Sequence, residues 1–142
     1  MPRVLGVDFG LKRMGVALSD VMGLTACPFT VLERQSMEKD LIEFGLMINA
    51  HEVTMIVVGK PLNMDGTDGN LINEVNSFVR KLEEKFKIPV VLIDERLTTL
   101  QAERLLTEEA DFTRVKRKSI RDKVAAALIL QSYLDSVKTP QE

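Results

Sequence analysis

Three acidic residues stand where carboxylates can do chemistry as well as solvate a surface. Asp8 closes the apolar run Val4–Val7, which reads as a buried strand. Glu95 follows Val-Val-Leu-Ile-Asp at the end of a second such run. Asp122 has Ala125, Ala126 and Ile129 at i+3, i+4 and i+7, so on a helix it shares the face that packs. Each has a blander use. Asp8 can form a turn, Glu95 can be a solvated loop acid, and Asp122 can complete a loose Ser119-x-x-Asp122 capping box at the start of a helix. Asp94 competes with Glu95, because on a continuing strand the two side chains point to opposite faces and only one can share a cleft with Asp8.

Carboxylates converging on one cleft repel each other and require cations. With a single cysteine, Cys27, and a single histidine, His51, the donor set is hard oxygen, which implies Mg²⁺ or Mn²⁺ and not zinc. Two such ions about 4 Å apart clamp the attacking and leaving oxygens of an in-line phosphodiester displacement. Basic groups complete the picture of a nucleic-acid site. Lys12 and Arg13 follow Asp8 in the first turn, Lys60 and Asn63 lie in the polar loop Gly59–Asn70, and Arg96 adjoins Glu95. From 114 to 123, six of ten residues are basic: Arg114, Lys116, Arg117, Lys118, Arg121 and Lys123. Cations at the start of an apolar helix oppose its dipole, and that cost points towards a binding role. His51, near the end of a helix, suits a cation at a C-terminus, and the scattered methionines read as core filler.

The elements that must position these groups follow from periodicity. Val4–Val7, Met14–Leu18 and Thr25–Leu32 read as three strands joined by short turns at Gly10–Arg13 and Ser19–Gly23, an antiparallel meander. Ser36 caps a helix with Leu41, Ile42, Phe44, Gly45, Met47 and Ile48 on its apolar face. Thr54–Val58 is a β-branched strand. Asp68 or Asn70 then caps an amphipathic helix, Ile72–Phe86, and Pro89–Ile93 is the fifth strand. Thr98 with Gln101 signals a short helix to about Leu106, and the last helix is expected from about Ser119 to Leu134. The order βββαβαβαα predicts an α/β fold: a mixed five-stranded sheet, a three-strand meander plus parallel strands, with helices on both faces. In such sheets the functional cleft lies at the carboxyl ends of the parallel strands, where Asp8 and Glu95 fall.

The chain has 142 residues with 45% hydrophobic and 28% charged side chains, which excludes a disordered, rod-like or collagenous chain. It reads as one domain over 1–138 with a short polar tail, 139–142. No apolar run approaches the ~18–20 residues of a bilayer span, no secretory h-region precedes Asp8, and a lone cysteine forbids an internal disulfide, so the cytoplasm is the expected setting. A formal charge of −2 supplies no global field for nucleic acid, so any attraction must be local.

Four ordered segments carry a resemblance. Leu5-Gly-Val-Asp-Phe-Gly-Leu-Lys-Arg-Met-Gly-Val-Ala-Leu-Ser-Asp20 resembles the opening motif of the YqgF/RuvX family, and Val57-Val-Gly-Lys-Pro-Leu-Asn-Met-Asp-Gly-Thr-Asp68 its second. Asp94-Glu-Arg-Leu-Thr-Thr99 resembles the third, and Lys118–Gln131 the last. The resemblance spans nearly the whole chain. It implies an RNase H-like fold related to the RuvC resolvases, and a metal-dependent nuclease with Asp8, Glu95 and Asp122 as catalytic acids. It further implies nucleic acid as partner, either precursor 16S ribosomal RNA, alone or in ribosomal particles, or branched DNA. Resolvases of the wider superfamily place a fourth acid one helical turn from the last; Ser119 and Ala125 stand there in this chain, leaving one ion with fewer protein ligands. Junction resolution needs a two-fold dimer, and no stripe is left over for a dimer seam, so a monomer or weak homodimer is expected. Two other readings compete. A non-catalytic RNA-binding assembly factor would keep the fold as a grip. The spacing Asp8-x-Gly10-x-x-x-x-Gly15 is similar to the phosphate loop of actin- and hexokinase-type ATPases, which need two such domains where 142 residues hold one.

Overall fold

Alternation along the first strand divides the molecule into two layers. In β1 (Arg3–Asp8), Leu5 and Val7 face one core, while Val4, Gly6 and Asp8 face the other. A computed structural model describes residues 3–60, 71–94 and 114–137, with backbone alone over 114–120.

β2 (Arg13–Ser19) and β3 (Ala26–Glu33) extend the sheet antiparallel on one side of β1; β4 (Val53–Lys60) and β5 (Val90–Asp94) extend it in parallel on the other, in the order β3-β2-β1-β4-β5. This is the mixed five-stranded sheet expected, each strand lying within one or two residues of its sequence-derived bounds.

Two helices cover the first face. α1 (Met37–His51) starts at Ser36, whose hydroxyl accepts from the Lys39 amide at 3.1 Å, as expected of that cap. It buries Phe44 and Ile48. Ile42, expected on that apolar face, is instead 53% exposed, because it stands two residues from Phe44 and so on the other side of the helix from the buried Asp40–Phe44–Ile48 stripe. α2 (Ile72–Phe86) buries Val75, Phe78 and Leu82, the expected face. Its capping position is held by Leu71, which offers no side-chain acceptor; Asp68 and Asn70 lie outside the described residues.

Among the described residues, α3 (Arg114–Val137) is the helix on the second face, burying Ala125, Ala126, Ile129, Leu130 and Leu134. It begins five residues before the expected Ser119. Arg and Lys are good helix formers and no Gly or Pro interrupts 114–118, so the basic run continues the helix instead of preceding it. Ser119 is therefore interior, and the capping-box reading of Asp122 fails: Asp122 stands in the helix body. The short helix expected over 98–106, the loop 61–70 and the tail 139–142 lie outside the described residues. No described helix is long and apolar enough to cross a membrane.

Candidate active site

α3 approaches the sheet unusually closely, and two strand glycines make the space. A Cβ on Gly6 would sit 2.7 Å from Leu130 Cβ and 3.1 Å from the Ala126 carbonyl oxygen. A Cβ on Gly15 would sit 1.9 Å from the carbonyl oxygen of Asp122 itself. Glycine inside a strand commonly marks such an approach. Gly15 is also the cross-strand partner of Asp8 in the β1–β2 ladder. Opposed residues of an antiparallel pair point to the same face, so the Asp8 side chain and Asp122 meet on one face around Gly15, at the carboxyl end of β1. The two acids come from elements 114 residues apart in sequence, and one glycine joins them.

Asp8 is fixed from below by its neighbour. Phe9 turns into the opposite core, where its ring lies 5.4 Å from that of Phe78. Arg34 braces the following turn: its guanidinium lies 5.0 Å above Phe9, donates to the Gly10 carbonyl at 2.8 Å and pairs with Asp40 at 2.7 Å. Asp40 is 1% exposed and also accepts the Gln35 amide at 3.1 Å. Its charge is thus paired and hydrogen-bonded, the condition under which a buried carboxylate is tolerated. Sequence reasoning missed this brace, since Arg34 and Asp40 look like ordinary surface charges at a helix start.

Asp122 is held through one oxygen and faces a second cation with the other. Arg13 Nε donates to Oδ2 at 3.0 Å, and Arg121 Nε lies 4.0 Å from Oδ1. Arg13 has the same strand parity as Gly15 and so projects to the same face as Asp8. Lys12 is exposed in the turn, where its carbonyl accepts the Arg34 amide at 2.9 Å.

Register also separates Asp94 from the pair. Val90 and Leu92 pack into the first core and Ile93 into the second, so Asp94, in step with Leu92, faces away from α3. Lys60 is its register partner and shares the parity of Val58, so it too stands on the face opposite Asp8. Glu95, Asn63 and Arg96 lie outside the described residues, as do the side chains of Arg114, Lys116, Arg117 and Lys118. The backbone of 114–121 nevertheless continues α3 for about 12 Å past Asp122, on the edge that carries Asp8. His51, by contrast, ends α1 beside Arg3 at the other edge of the sheet and stacks edge-on to Phe29 at 5.1 Å, a packing role.

Among the described residues no three acids, cysteines or histidines form a metal-binding group. The two acids that do meet offer only carboxylate oxygens, and the thiol of Cys27 is on the exposed edge strand β3. That donor chemistry fits a hard divalent ion.

A family model for RuvX, described as Holliday junction resolvase, matches residues 2–136. The chain belongs to the RuvX family. Curated relatives agree: proteins of Endomicrobium trichonymphae (48% identical, 95% of this chain and 96% of theirs) and Thermoanaerobacter pseudethanolicus (51% identical, 96% and 98%) both carry the provisional name pre-16S rRNA nuclease. Among solved structures, the fowlpox virus resolvase with Holliday junction DNA aligns at TM-score 0.57 and 12% identity, covering 96% of this chain and 99% of that one. Thermus thermophilus RuvC with a junction substrate aligns at 0.55 and 14%, covering 96% of each. At those identities the likeness is one of fold, and it makes this RuvX chain an RNase H-like α/β protein, as the motifs imply.

Proposed function

We propose that this RuvX-family chain is a metal-dependent endonuclease that hydrolyses phosphodiester bonds of structured RNA, acting in the 5′-end processing of pre-16S rRNA. The observation that carries the reading is the meeting of Asp8 and Asp122 around Gly15, beneath the basic first turns of α3. Clustered negative charge repels phosphate and would be a liability in a protein that only grips RNA. It becomes useful where cations join it to the phosphate.

Asp8, Asp122 and Glu95 would hold one or two Mg²⁺ or Mn²⁺ ions. Bound there, such ions supply charge neutralisation of the scissile phosphate and a water acidic enough to attack it. The chain's own residues do the rest. Asp8 is anchored by Phe9 and the Arg34 brace, and the Asp122 backbone by its rest on Gly15, so the two acids are already on one face before an ion binds. Lys12, Arg121 and the basic turns Arg114, Lys116, Arg117 and Lys118 would bind the flanking backbone and orient it across the sheet edge. Arg96 and Asn63 would add contacts from the neighbouring loops; Lys60, at the end of β4 on the face opposite Asp8, would reach only a strand that wraps around the sheet edge. The nuclease domain in this reading spans 1–138, followed by the tail 139–142, and its precursor substrate places the work in the cytoplasm, free or in a ribosomal particle.

The relatives' names favour RNA and the family description favours a four-way junction, so the test offers both. A labelled pre-16S 5′ leader and a mobile DNA junction are incubated with Mg²⁺ or Mn²⁺, beside an Asp8→Asn control. Metal-dependent cutting of the leader, lost in the variant, is the expected result. Symmetric cutting of the junction alone would replace RNA maturation with resolution by a dimer. Binding without cutting of either would make the chain an assembly factor.

A further inference from the structure

The Arg13–Asp122 pair has an unusual setting for a structural salt bridge. Asp122 is 15% exposed and Arg13 25%, so solvent screens the pair only partly. Asp122 needs no bridge to hold its backbone, since the helix already rests on Gly15 and its neighbours Ala125 and Ala126 are buried against the sheet. What the bridge does fix is the carboxylate. Oδ2 is taken by Arg13 and Oδ1 faces Arg121. Arg13 reaches in from the strand end, on the same face as Asp8, where a nucleic-acid phosphate would pass.

Resting on the nuclease reading above, we propose that Arg13 is a positioning residue with two alternative partners: it occupies Asp122 Oδ2 in the free protein and passes to a substrate phosphate, releasing that oxygen to a divalent ion. An arginine suits the exchange because its fork pairs equally well with carboxylate and phosphate. The consequence is thermodynamic. A guanidinium bound to Oδ2 competes with a cation for the same oxygen, so the free protein binds metal weakly. Nucleic acid that draws Arg13 away strengthens metal binding, and by linkage metal strengthens nucleic-acid binding by the same factor. Metal uptake is thereby tied to the presence of substrate.

The test is Mn²⁺ binding to the free protein, followed by electron paramagnetic resonance, for wild type, Arg13→Gln, Arg13→Lys and Asp122→Asn, each checked for folding by thermal melting. Removing the competing cation in Arg13→Gln tightens Mn²⁺ binding about tenfold, within the usual range of a single coupling between sites. Arg13→Lys keeps a competing cation and stays near wild type, which a loss of fold would not produce. Asp122→Asn weakens binding relative to wild type. Equal or weaker Mn²⁺ binding by a folded Arg13→Gln overturns the exchange and leaves the nuclease reading standing. Absence of Mn²⁺ binding in every variant, Arg13→Gln included, overturns both.

Discussion

Gly15→Ala is the substitution that most directly strains the joint between the two acids. The added methyl would lie 1.9 Å from the Asp122 carbonyl oxygen and 2.4 Å from its carbon, both backbone atoms that cannot rotate aside. Ordinary contact begins at 3.4 Å, so either β2 sinks or α3 lifts by about 1.5 Å at Asp122. β2 cannot sink, because Met14 and Val16 on either side of Gly15 are fully buried against the first core. The helix must therefore tilt at its Asp122 end, pivoting where Ala126 and Leu130 rest on Gly6. Overpacking of this kind costs about 1–3 kcal/mol, a fall in Tm of about 4–12 °C for a chain of this size. The effect on rate is larger in proportion, since a misplacement of about 1 Å costs on the order of 10²-fold. The assay is single-turnover cleavage of the RNA leader at 25 °C, where the variant is still folded, beside a thermal melt. Gly6→Ala serves as the contrast: it crowds Leu130 Cβ at 2.7 Å, two turns from Asp122, and the Ala126 carbonyl oxygen less severely at 3.1 Å, so it lowers Tm with a smaller loss of rate than Gly15→Ala. A Gly15→Ala protein that cleaves at the wild-type rate, or loses no more rate than Gly6→Ala, would refute the reasoning.

Three further outcomes follow from particular contacts. Arg34→Met strands the buried Asp40 carboxylate and lowers stability by about 3–5 kcal/mol in urea unfolding, while Arg34→Met with Asp40→Asn recovers most of it; an unchanged midpoint in the single variant contradicts the brace. The Asp20 carboxylate accepts the Leu24 amide at 2.8 Å and the Thr25 amide at 3.3 Å, and the Leu24 bond above all holds its pKa below the ordinary 3.8. A depressed acid stabilises the fold above its unfolded pKa and loses that contribution as pH falls through the folded one. Hydrogen exchange at Leu24, corrected for its intrinsic pH dependence, should thus accelerate below about pH 4 in wild type but not in Asp20→Asn, and identical profiles would show the turn is held otherwise. Charge reversal at Lys116 and Arg117 should flatten the salt dependence of RNA binding by about 0.7 per lost phosphate contact; an unchanged slope removes the first turns of α3 from the interface.

The sheet and most helices were legible because their signals are local. Ser36 caps, Val75, Phe78 and Leu82 repeat at helical spacing, and Leu5 and Val7 alternate with Val4 and Gly6. Asp8 and Asp122 were legible as candidates for the same reason, each breaking an apolar pattern at an element's end or packing face. The joint between them was not. Gly15 sits mid-strand with nothing nearby in sequence to show that a helix backbone 107 residues on would rest on it. α3 starts earlier than expected because Ser119 and the apolar period both signal a boundary there, whereas the basic turns before it carry good helix formers and no breaker. Asp94 and Glu95 were indistinguishable by type. Register excludes Asp94, since Leu92 fixes its face. Arg13 was expected to touch nucleic acid, and its bond to Asp122 could not be read without the fold.

The central claim is that Asp8 and Asp122 serve one metal-dependent centre. The measurement that tests it most directly is the single-turnover cleavage rate, across a Mn²⁺ titration, of Asp8→Asn, Asp122→Asn and the double variant, each verified as folded. Residues acting as a unit are not additive, so each single variant should fall to the rate of the double at every metal concentration. A folded Asp8→Asn that still cleaves, or losses that multiply in the double variant, would contradict the claim.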